Sequence, residues 1–324
     1  MTTSMDRIPE ILQTEDEFLI VSHFNPDGDA IGSMAAMGWI LTSLEKRFRM
    51  YNVSGMPDRF AWLSMPAPVE TELPADKPGW TIVLDCGDSN RVGQDLAKRL
   101  GKARVINIDH HQGNPLFGQI NWVDTQISST GEMVAGIAQH LGIPLSGDMG
   151  EAIYLALVSD TGWFSYGNTS SQTMELAADI IRQGLRPDIF TPRLNYNWTP
   201  SKIRLMGRAM AGARFYSRGK IGVVSASSTD FAKTGATGDD TEGLVDMVRN
   251  VGSVVVAVSF REEESRKIKF SLRSTGEVDV RQVAARFGGG GHINASGGVI
   301  HASLDSAESQ MVKMIQDTLG IKDE

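Results

Sequence analysis

The sequence predicts an α/β protein, in which an N-terminal parallel sheet with helices on both faces precedes a smaller C-terminal α/β domain. Three observations predict this. The 324 residues are too many for one ordinary core and suit about two domains. In the first half, short β-rich runs alternate with helical patterns, which is typical of a parallel sheet. Around 185–203, prolines and turn formers interrupt this pattern. We therefore expect an N-terminal domain at 1–188, a linker at 189–208 and a C-terminal domain at 209–324.

Strands and helices can be placed along both halves. In the first half, strands are predicted at 18–22, 47–53, 81–85 and 104–109, and helices around 30–45, 91–100, 130–141, 148–160 and 171–184. In the second half, strands are predicted at 220–227, 253–260 and 267–274, and helices at 241–250, 279–287 and 304–319. Ligands of parallel sheets bind outside the carboxyl ends of the strands, so a site is expected there.

Composition narrows the class of protein. Hydrophobic content of 41% and charged content of 22% are typical of a soluble globular chain. No apolar run approaches the ~20 residues of a membrane span, and the first residues lack a signal-peptide core. The single cysteine, Cys86, fits a reducing compartment, so we expect a cytoplasmic protein. The net charge of −8 argues against a broad basic surface for long nucleic acid, but not against small phosphorylated substrates.

The first of four clusters of acidic and imidazole side chains lies in SHFNPDGDAIGS, after the apolar run FLIVS. A loop built around a proline and a glycine can aim His23, Asp27 and Asp29 at one point. Helix capping is the alternative interpretation, since either aspartate could cap the helix that starts near Ala30. In the second cluster, Asp85 ends the strand TIVLD, where a buried carboxylate is costly unless it is paired, capping or metal-bound.

The third and fourth clusters also follow apolar segments. Asp109 ends the strand RVINID, with His110 and His111 directly after it. Asp160 ends the stretch YLALVSD before a Thr-Gly turn. A surface histidine pair is the alternative interpretation of the third cluster. All four clusters are predicted to lie at one edge of the sheet, which favours one common site over four separate explanations.

The combined set of four aspartates and two histidines is rich in hard oxygen donors: His23, Asp27, Asp29, Asp85, His110 and Asp160. Such donors suit two divalent ions of the Mn²⁺ kind better than structural zinc, which prefers thiolates. One carboxylate must bridge for six residues to serve two ions, and Asp85, alone on a central strand, is the candidate. Two ions roughly 3.5–4 Å apart suit displacement at phosphorus by an activated water. No GxSxG or Ser/His/Asp spacing indicates a protein nucleophile.

These segments resemble, in order, the motifs of the DHH phosphoesterases: SHFNPDGDAIGS, LDCGD, NIDHH and ALVSDTG. FSLRS and FGGGGHINASGG are similar to the accessory domain called DHHA1. The resemblance spans nearly the whole chain and closely matches the branch of bifunctional oligoribonucleases and pAp phosphatases. It implies a DHH catalytic domain and a DHHA1 substrate-binding domain. It also implies hydrolysis of short oligoribonucleotides to 5′-mononucleotides and of pAp to AMP.

The resemblance implies roles residue by residue. One ion would take His23, Asp27 and Asp85, and the other would take Asp29, Asp85, His110 and Asp160. His111 would not bind metal but would face the substrate phosphate as a donor or acid. A homodimer is compatible with the resemblance.

The glycine-rich stretch FGGGGHINASGG offers backbone N–H groups and close approach, which suit a phosphate, although glycine runs are more often plain loops. Arg273 is expected on a strand neighbouring His292, and its guanidinium can clamp a phosphate. The alternative is a solvent-facing arginine. The predicted substrate-binding residues are Arg273, Gly289, Gly290, Gly291 and His292.

Short RNA oligonucleotides and small phosphorylated nucleotides are the expected partners, with no membrane and no long duplex. Arg91, Ser129 and Thr130 are candidates to line the same cleft, although Ser129 and Thr130 could instead cap a helix. Three other functions remain open: hydrolysis of cyclic di-AMP or pApA, a nucleotide- or RNA-binding module without turnover, and an inorganic pyrophosphatase. The six ligand residues disfavour the binding module, and the Gly-rich His motif disfavours the pyrophosphatase.

Overall fold

The computed structural model describes residues 4–195, 198–264 and 266–320. The chain divides into two compact units, Met1–Asn197 and Trp198–Glu324. This division lies inside the range 189–208 interpreted as a linker, most of which is helical. The extents given above for the two domains remain predictions.

The sheet of the first unit is entirely parallel. Within the described residues its strands are β1 (Phe18–Val21), β2 (Phe48–Tyr51), β3 (Val69–Glu70), β4 (Trp80–Leu84), β5 (Val105–Asp109) and β6 (Ile120–Val123). Their order is β3-β2-β1-β4-β5-β6, so the chain reverses its direction of progress between β1 and β4. Such a reversal opens a crevice at the carboxyl ends of the two central strands. The four strands predicted in this half are confirmed, whereas β3 and β6, at the two edges of the sheet, were not predicted.

Helices cover both faces of this sheet, as predicted. They are α1 (Ser4–Thr14), α2 (Gly28–Ser43), α3 (Gln94–Leu100), α4 (Thr130–His140), α5 (Gly147–Asp160), α6 (Ser171–Arg182) and α7 (Pro187–Asn195). A large core packs α1, α2, α4 and α5 on one face. A smaller core packs Leu96 and Leu100 of α3 against Leu19, Val21 and Val83 on the other.

Two glycines bring α2 and α5 into direct contact. A Cβ on Gly32 would lie 2.4 Å from the backbone oxygen of Ala152, and one on Gly28 would lie 1.9 Å from Ser159 Oγ. Residue 28 faces residue 159 while residue 32 faces residue 152, so the helices run antiparallel. The first turn of α2 therefore lies beside the last turn of α5, which brings Asp29 close to Asp160.

The second unit is a mixed sheet with helices on both faces. Its strands, in the part of the chain described, are β7 (Arg214–Tyr216), β8 (Ile221–Ala226), β9 (Val256–Glu264), β10 (Lys267–Ser274), β11 (Gly290–His292) and β12 (Ala295–Ile300). They lie in the order β11-β12-β10-β9-β8-β7, with only the β8–β9 pair parallel. The helices are α8 (Pro200–Ala211), α9 (Ser228–Thr234), α10 (Leu244–Arg249), α11 (Arg281–Arg286) and α12 (Leu304–Leu319). Among the described helices, none is long and apolar enough to cross a membrane.

Candidate metal centre

The loop after β1 places three of the predicted ligands. Asp27 is the N-cap of α2, and its Oδ1 accepts hydrogen bonds from the backbone N–H groups of Asp29 and Ala30 at 3.1 Å. Its other oxygen, Oδ2, lies 3.8 Å from His23 Nε2. His23 Nδ1 lies 2.9 Å from the backbone oxygen of Phe24, a contact that directs Nε2 towards the carboxylates. The capping interpretation and the ligand interpretation of Asp27 are therefore compatible, since each uses a different oxygen.

Asp85 lies between the imidazoles of His23 and His110. It follows β4 directly, is only 2% exposed, and has a left-handed backbone with φ of 54°. Its Oδ2 is 3.6 Å from His23 Nε2, and its Oδ1 is 3.5 Å from His110 Nε2. Thr130 Oγ1 donates to the same Oδ1 at 3.4 Å. A left-handed aspartate is uncommon and costs energy, and such strain is concentrated at functional sites.

Asp29 and Asp160 complete the cluster around His110. His110 Nε2 is 3.7 Å from Asp29 Oδ2 and 3.4 Å from Asp160 Oδ2. Asp29 is fully buried and accepts hydrogen bonds from the backbone N–H groups of Thr130 and Gly131, at 2.7 and 2.9 Å. The N-terminus of α4 therefore fixes this carboxylate and favours its negative charge.

The fourth cluster follows a helix and not a strand. Asp160 is the last residue of α5, which confirms the helix predicted at 148–160. The rule that residues after parallel strands meet at one sheet edge therefore does not account for Asp160. The close approach of α2 and α5 nevertheless brings Asp160 to the same site.

The residues present fit divalent metal ions. Three groups of donor atoms, each lying within 4.8 Å of one another, could hold an ion: His23, Asp27 and Asp85; Asp29, His110 and Asp160; and Asp85, His110 and His111. His110 Nε2 is buried and makes no hydrogen bond within the described residues, although it faces three carboxylates. Donors that share an ion at about 2.1 Å lie roughly 3–4 Å apart, which matches the separations above. Carboxylate oxygens with imidazole suit hard or borderline divalent ions.

Without a metal ion, bound protons offset the negative charge of the clustered carboxylates. Burial and the neighbouring Asp85 and Asp160 raise the pKa of Asp29 well above its usual range. Burial also raises the pKa of Asp160, to about 7. Burial opposes ionisation of Asp85, but the imidazoles of His110 and His23 outweigh it and hold that pKa well below its usual range. Burial lowers the pKa of His110, but the surrounding carboxylates outweigh it and raise that pKa to about 10. Metal binding would displace these protons.

His111 has a different environment. Its Nδ1 lies 2.7 Å from Asp109 Oδ1 and 3.5 Å from Asp85 Oδ1. Asp109 is fully buried, and its other oxygen accepts a hydrogen bond from Asn114 Nδ2 at 2.6 Å. Asp109 therefore orients His111 instead of joining the ligand groups.

Several supporting residues were missed from the sequence. Asn52, which follows β2, donates to the backbone oxygen of His23 at 2.9 Å. From the sequence, we looked for functional residues directly after β1, β4 and β5. The same search after β2 would have found Asn52, because it lies at the same sheet edge. Asn114 and Gly131 carry no such signal, since they act only through folding of the chain around Asp109 and Asp29. Ser129 is the N-cap of α4, as its alternative interpretation held, whereas Thr130 reaches Asp85.

The predicted substrate-binding residues lie in the second unit. Arg273 pairs with Ala295 across β10 and β12, and His292 pairs with Ala295 across β11 and β12. The expectation that Arg273 and His292 lie on neighbouring strands was wrong, because β12 lies between them. Paired residues in one row face the same side of a sheet, so both side chains share a face with the small Ala295 between them. Arg273 Nε lies 3.6 Å from Asp246 Oδ1.

The glycine-rich stretch forms the hairpin of β11 and β12, not a plain loop. A Cβ on Gly289 would lie 2.2 Å from the backbone oxygen of Gly297, and Gly291 has φ of 141°. Both positions therefore require glycine. Gly290 has open space beside it.

Comparison with known proteins identifies both units. Residues 17–157 match the family described as "DHH family, N-terminal domain", and residues 220–320 match the "DHHA1 domain". The chain is 32% identical to the bifunctional oligoribonuclease and PAP phosphatase NrnA of Thermus thermophilus, over 97% of this chain and 94% of that protein. It is 27% identical to the protein of that name from Bacillus subtilis, over 90% and 92% of the two chains. An exopolyphosphatase-related protein from Bacteroides fragilis has a similar structure, with a TM-score of 0.90 and 26% identity over 98% and 97% of the two chains.

Proposed function

The chain belongs to the DHH family of phosphoesterases, and from that premise we propose that it hydrolyses short oligoribonucleotides to 5′-mononucleotides and pAp to AMP. It is a hydrolase, as its relatives are. The Thermus thermophilus and Bacillus subtilis relatives are named oligoribonucleases and PAP phosphatases, and the chain aligns with nearly their whole length, which supports this choice of substrates. A cytoplasmic location and a homodimer remain predictions.

The observation that carries the proposal is the position of Asp85 between His23 and His110, with one carboxylate oxygen towards each. We assign His23, Asp27 and Asp85 to one ion, and Asp29, Asp85, His110 and Asp160 to the other, with Mn²⁺ as the expected metal. Bound there, two such ions would activate water and neutralise charge on the phosphoryl oxygens.

The protein's own residues hold the ligands and the proton donor in place. Hydrogen bonds from the start of α4 fix Asp29, and the backbone of Phe24 orients His23. Asp109 accepts from His111 Nδ1 when that nitrogen carries the proton, which presents Nε2 away from Asp109. His111 is then the group placed to donate a hydrogen bond or a proton to the substrate phosphate, and Asp109 is its positioning residue.

The second unit would supply the grip on a further phosphate. Arg273 and His292 face the same side of the sheet, and Ala295 leaves room between them. The separation of Arg273 from Asp246 exceeds an ordinary hydrogen bond, so a phosphate can compete for the guanidinium. The backbone of Gly289, Gly290 and Gly291 would allow close approach of the substrate.

Product analysis tests the proposal. Metal-stripped protein would be incubated with and without Mn²⁺ on 5′-pApA, pAp, cyclic di-AMP and pyrophosphate in parallel. We expect AMP from pApA and pAp, and only with metal. Preferred opening of cyclic di-AMP would shift the substrate class to cyclic dinucleotides. No hydrolysis of any of the four, despite bound metal, would refute the proposed activity.

A further inference from the structure

Phe24 has an exposed aromatic ring and lies, along the chain, between two of the proposed metal ligands. Phe24 follows His23 directly and precedes Asp27 by three residues, yet 43% of Phe24 is exposed. Singly exposed apolar side chains are ordinary on protein surfaces. Phe24 differs from the others because it lies in the loop that carries the proposed metal ligands His23 and Asp27.

The backbone under this ring is held by a series of hydrogen bonds. Asn52 Nδ2 donates to the backbone oxygen of His23, and the N–H of Phe24 donates to the backbone oxygen of Arg91 at 2.7 Å. The N–H of Asn25 donates to Ser54 Oγ at 2.8 Å, and Asn25 itself is left-handed with φ of 51°. The ring is therefore displayed by a fixed loop, which lowers the entropy lost when a ligand packs on it.

A cation accompanies the ring. Arg91 Cζ lies 5.8 Å from the centroid of Phe24. Arg91 is half-buried, and no carboxylate of the described residues pairs with its guanidinium. A second apolar side chain, Val53, is 43% exposed and adjoins this turn, since a Cβ on Gly93 would lie 3.1 Å from Val53 Cβ. The rim thus combines an aromatic face, an aliphatic neighbour and an unpaired planar cation.

We propose that Phe24, supported by Arg91, is a stacking subsite for a nucleobase of the substrate. Aromatic rings and guanidinium planes are the groups on which bases stack, and this stacking tolerates any base because every base has a π-face. The inference rests on the proposed function for the identity of the substrate. It adds a base-binding contact in the first unit, beside the metal ligands, that acts on affinity and not on the chemical step.

The test compares pAp with its abasic tetrahydrofuran analogue, which keeps both phosphates and lacks the base. With Mn²⁺, Phe24→Ala is expected to lower kcat/KM on pAp roughly 10-fold more than on the abasic analogue, because about 10-fold is a typical loss for one stacked base. Phe24→Trp should retain the preference for pAp. Phe215→Ala is the matched control, because Phe215 is a similarly exposed phenylalanine (46%) in the second unit.

An equilibrium measurement accompanies the kinetics. In Phe24→Trp, addition of AMP should quench tryptophan fluorescence beyond the change seen in the wild-type protein. Equal losses on both substrates in Phe24→Ala, or no loss on either, would overturn the stacking subsite. If the wild-type protein hydrolyses neither substrate while AMP quenches the new tryptophan, the proposed activity fails and the subsite stands. If turnover occurs without that quenching, the subsite fails alone.

Discussion

Replacement of Gly32 by alanine tests whether the contact between α2 and α5 sets the geometry of the metal centre. The new Cβ would lie 2.4 Å from the backbone oxygen of Ala152, and that contact must open by about 0.6 Å to reach even 3.0 Å. Neither helix backbone can rotate away as a side chain can. Overpacking of this kind costs about 1–3 kcal/mol. Alanine in a helix returns about 0.5–1 kcal/mol.

We therefore expect Gly32→Ala to destabilise the protein by about 1–2 kcal/mol, or roughly 2–6 °C in Tm. The same displacement moves Asp29 relative to Asp160, and a misplacement of about 1 Å can cost a site a hundredfold in rate. We expect kcat on pAp to fall at least about 10-fold.

Gly207→Ala is the matched control. Gly207 lies inside α8, and a Cβ there would meet nothing within 4 Å. That substitution should stabilise the protein by up to about 1 kcal/mol with unchanged turnover. Thermal melts followed by circular dichroism and steady-state kinetics measure both variants. A Gly32→Ala protein as stable and as active as Gly207→Ala would refute the argument that helix contact positions the ligands.

Three further predictions concern charge. Asp85→Asn should abolish turnover of every substrate, whereas the control Asp88→Asn, at an exposed position, should remain active. Retained activity of Asp85→Asn on pAp would contradict the assignment of Asp85 as a ligand shared by two ions. Arg273→Ala should weaken turnover of pApA far more than that of a small generic phosphodiester, with Lys269→Ala on the same strand as control, and equal losses on both would mean that Arg273 is structural. Asp160 and His110 both bind more protons in the folded metal-free chain than in the unfolded chain, because their pKa values are raised to about 7 and about 10. Stability of the metal-free protein should therefore fall as pH rises from about 4 to 10, which urea melts at pH 6 and pH 9 would show; a rise in stability would contradict this cause.

Sequence reasoning reached the metal centre because parallel strands deliver their following residues to one edge. This rule placed His23, Asp85 and His110 correctly without any knowledge of the loops. It does not cover Asp160, which ends the helix α5 and reaches the site only because α2 packs closely against α5. The fold class of both units could also be predicted, because the alternation of strands and helices is a local signal in the sequence.

Features that depend on contacts distant in sequence were out of reach. The backbone N–H groups of Thr130 and Gly131 donate to Asp29, which lies about a hundred residues earlier in the chain. Nothing in the local sequence around Gly131 indicates these hydrogen bonds. The glycines at 289–291 were interpreted as a loop, because a glycine strand shows no alternation of apolar and polar side chains. The strand order places β12 between the strands of Arg273 and His292, and the spacing of these residues in the sequence does not predict that order.

Metal stoichiometry tests the central claim, that Asp85 is shared by two ions, most directly. Mn²⁺ would be titrated into metal-stripped protein, with bound metal counted by calorimetry and spin coupling observed by electron paramagnetic resonance. The wild-type protein should bind two Mn²⁺ per chain that are magnetically coupled, and Asp85→Asn should lose that coupling and at least one ion. One uncoupled ion in the wild-type protein, or two coupled ions in Asp85→Asn, would contradict the shared carboxylate.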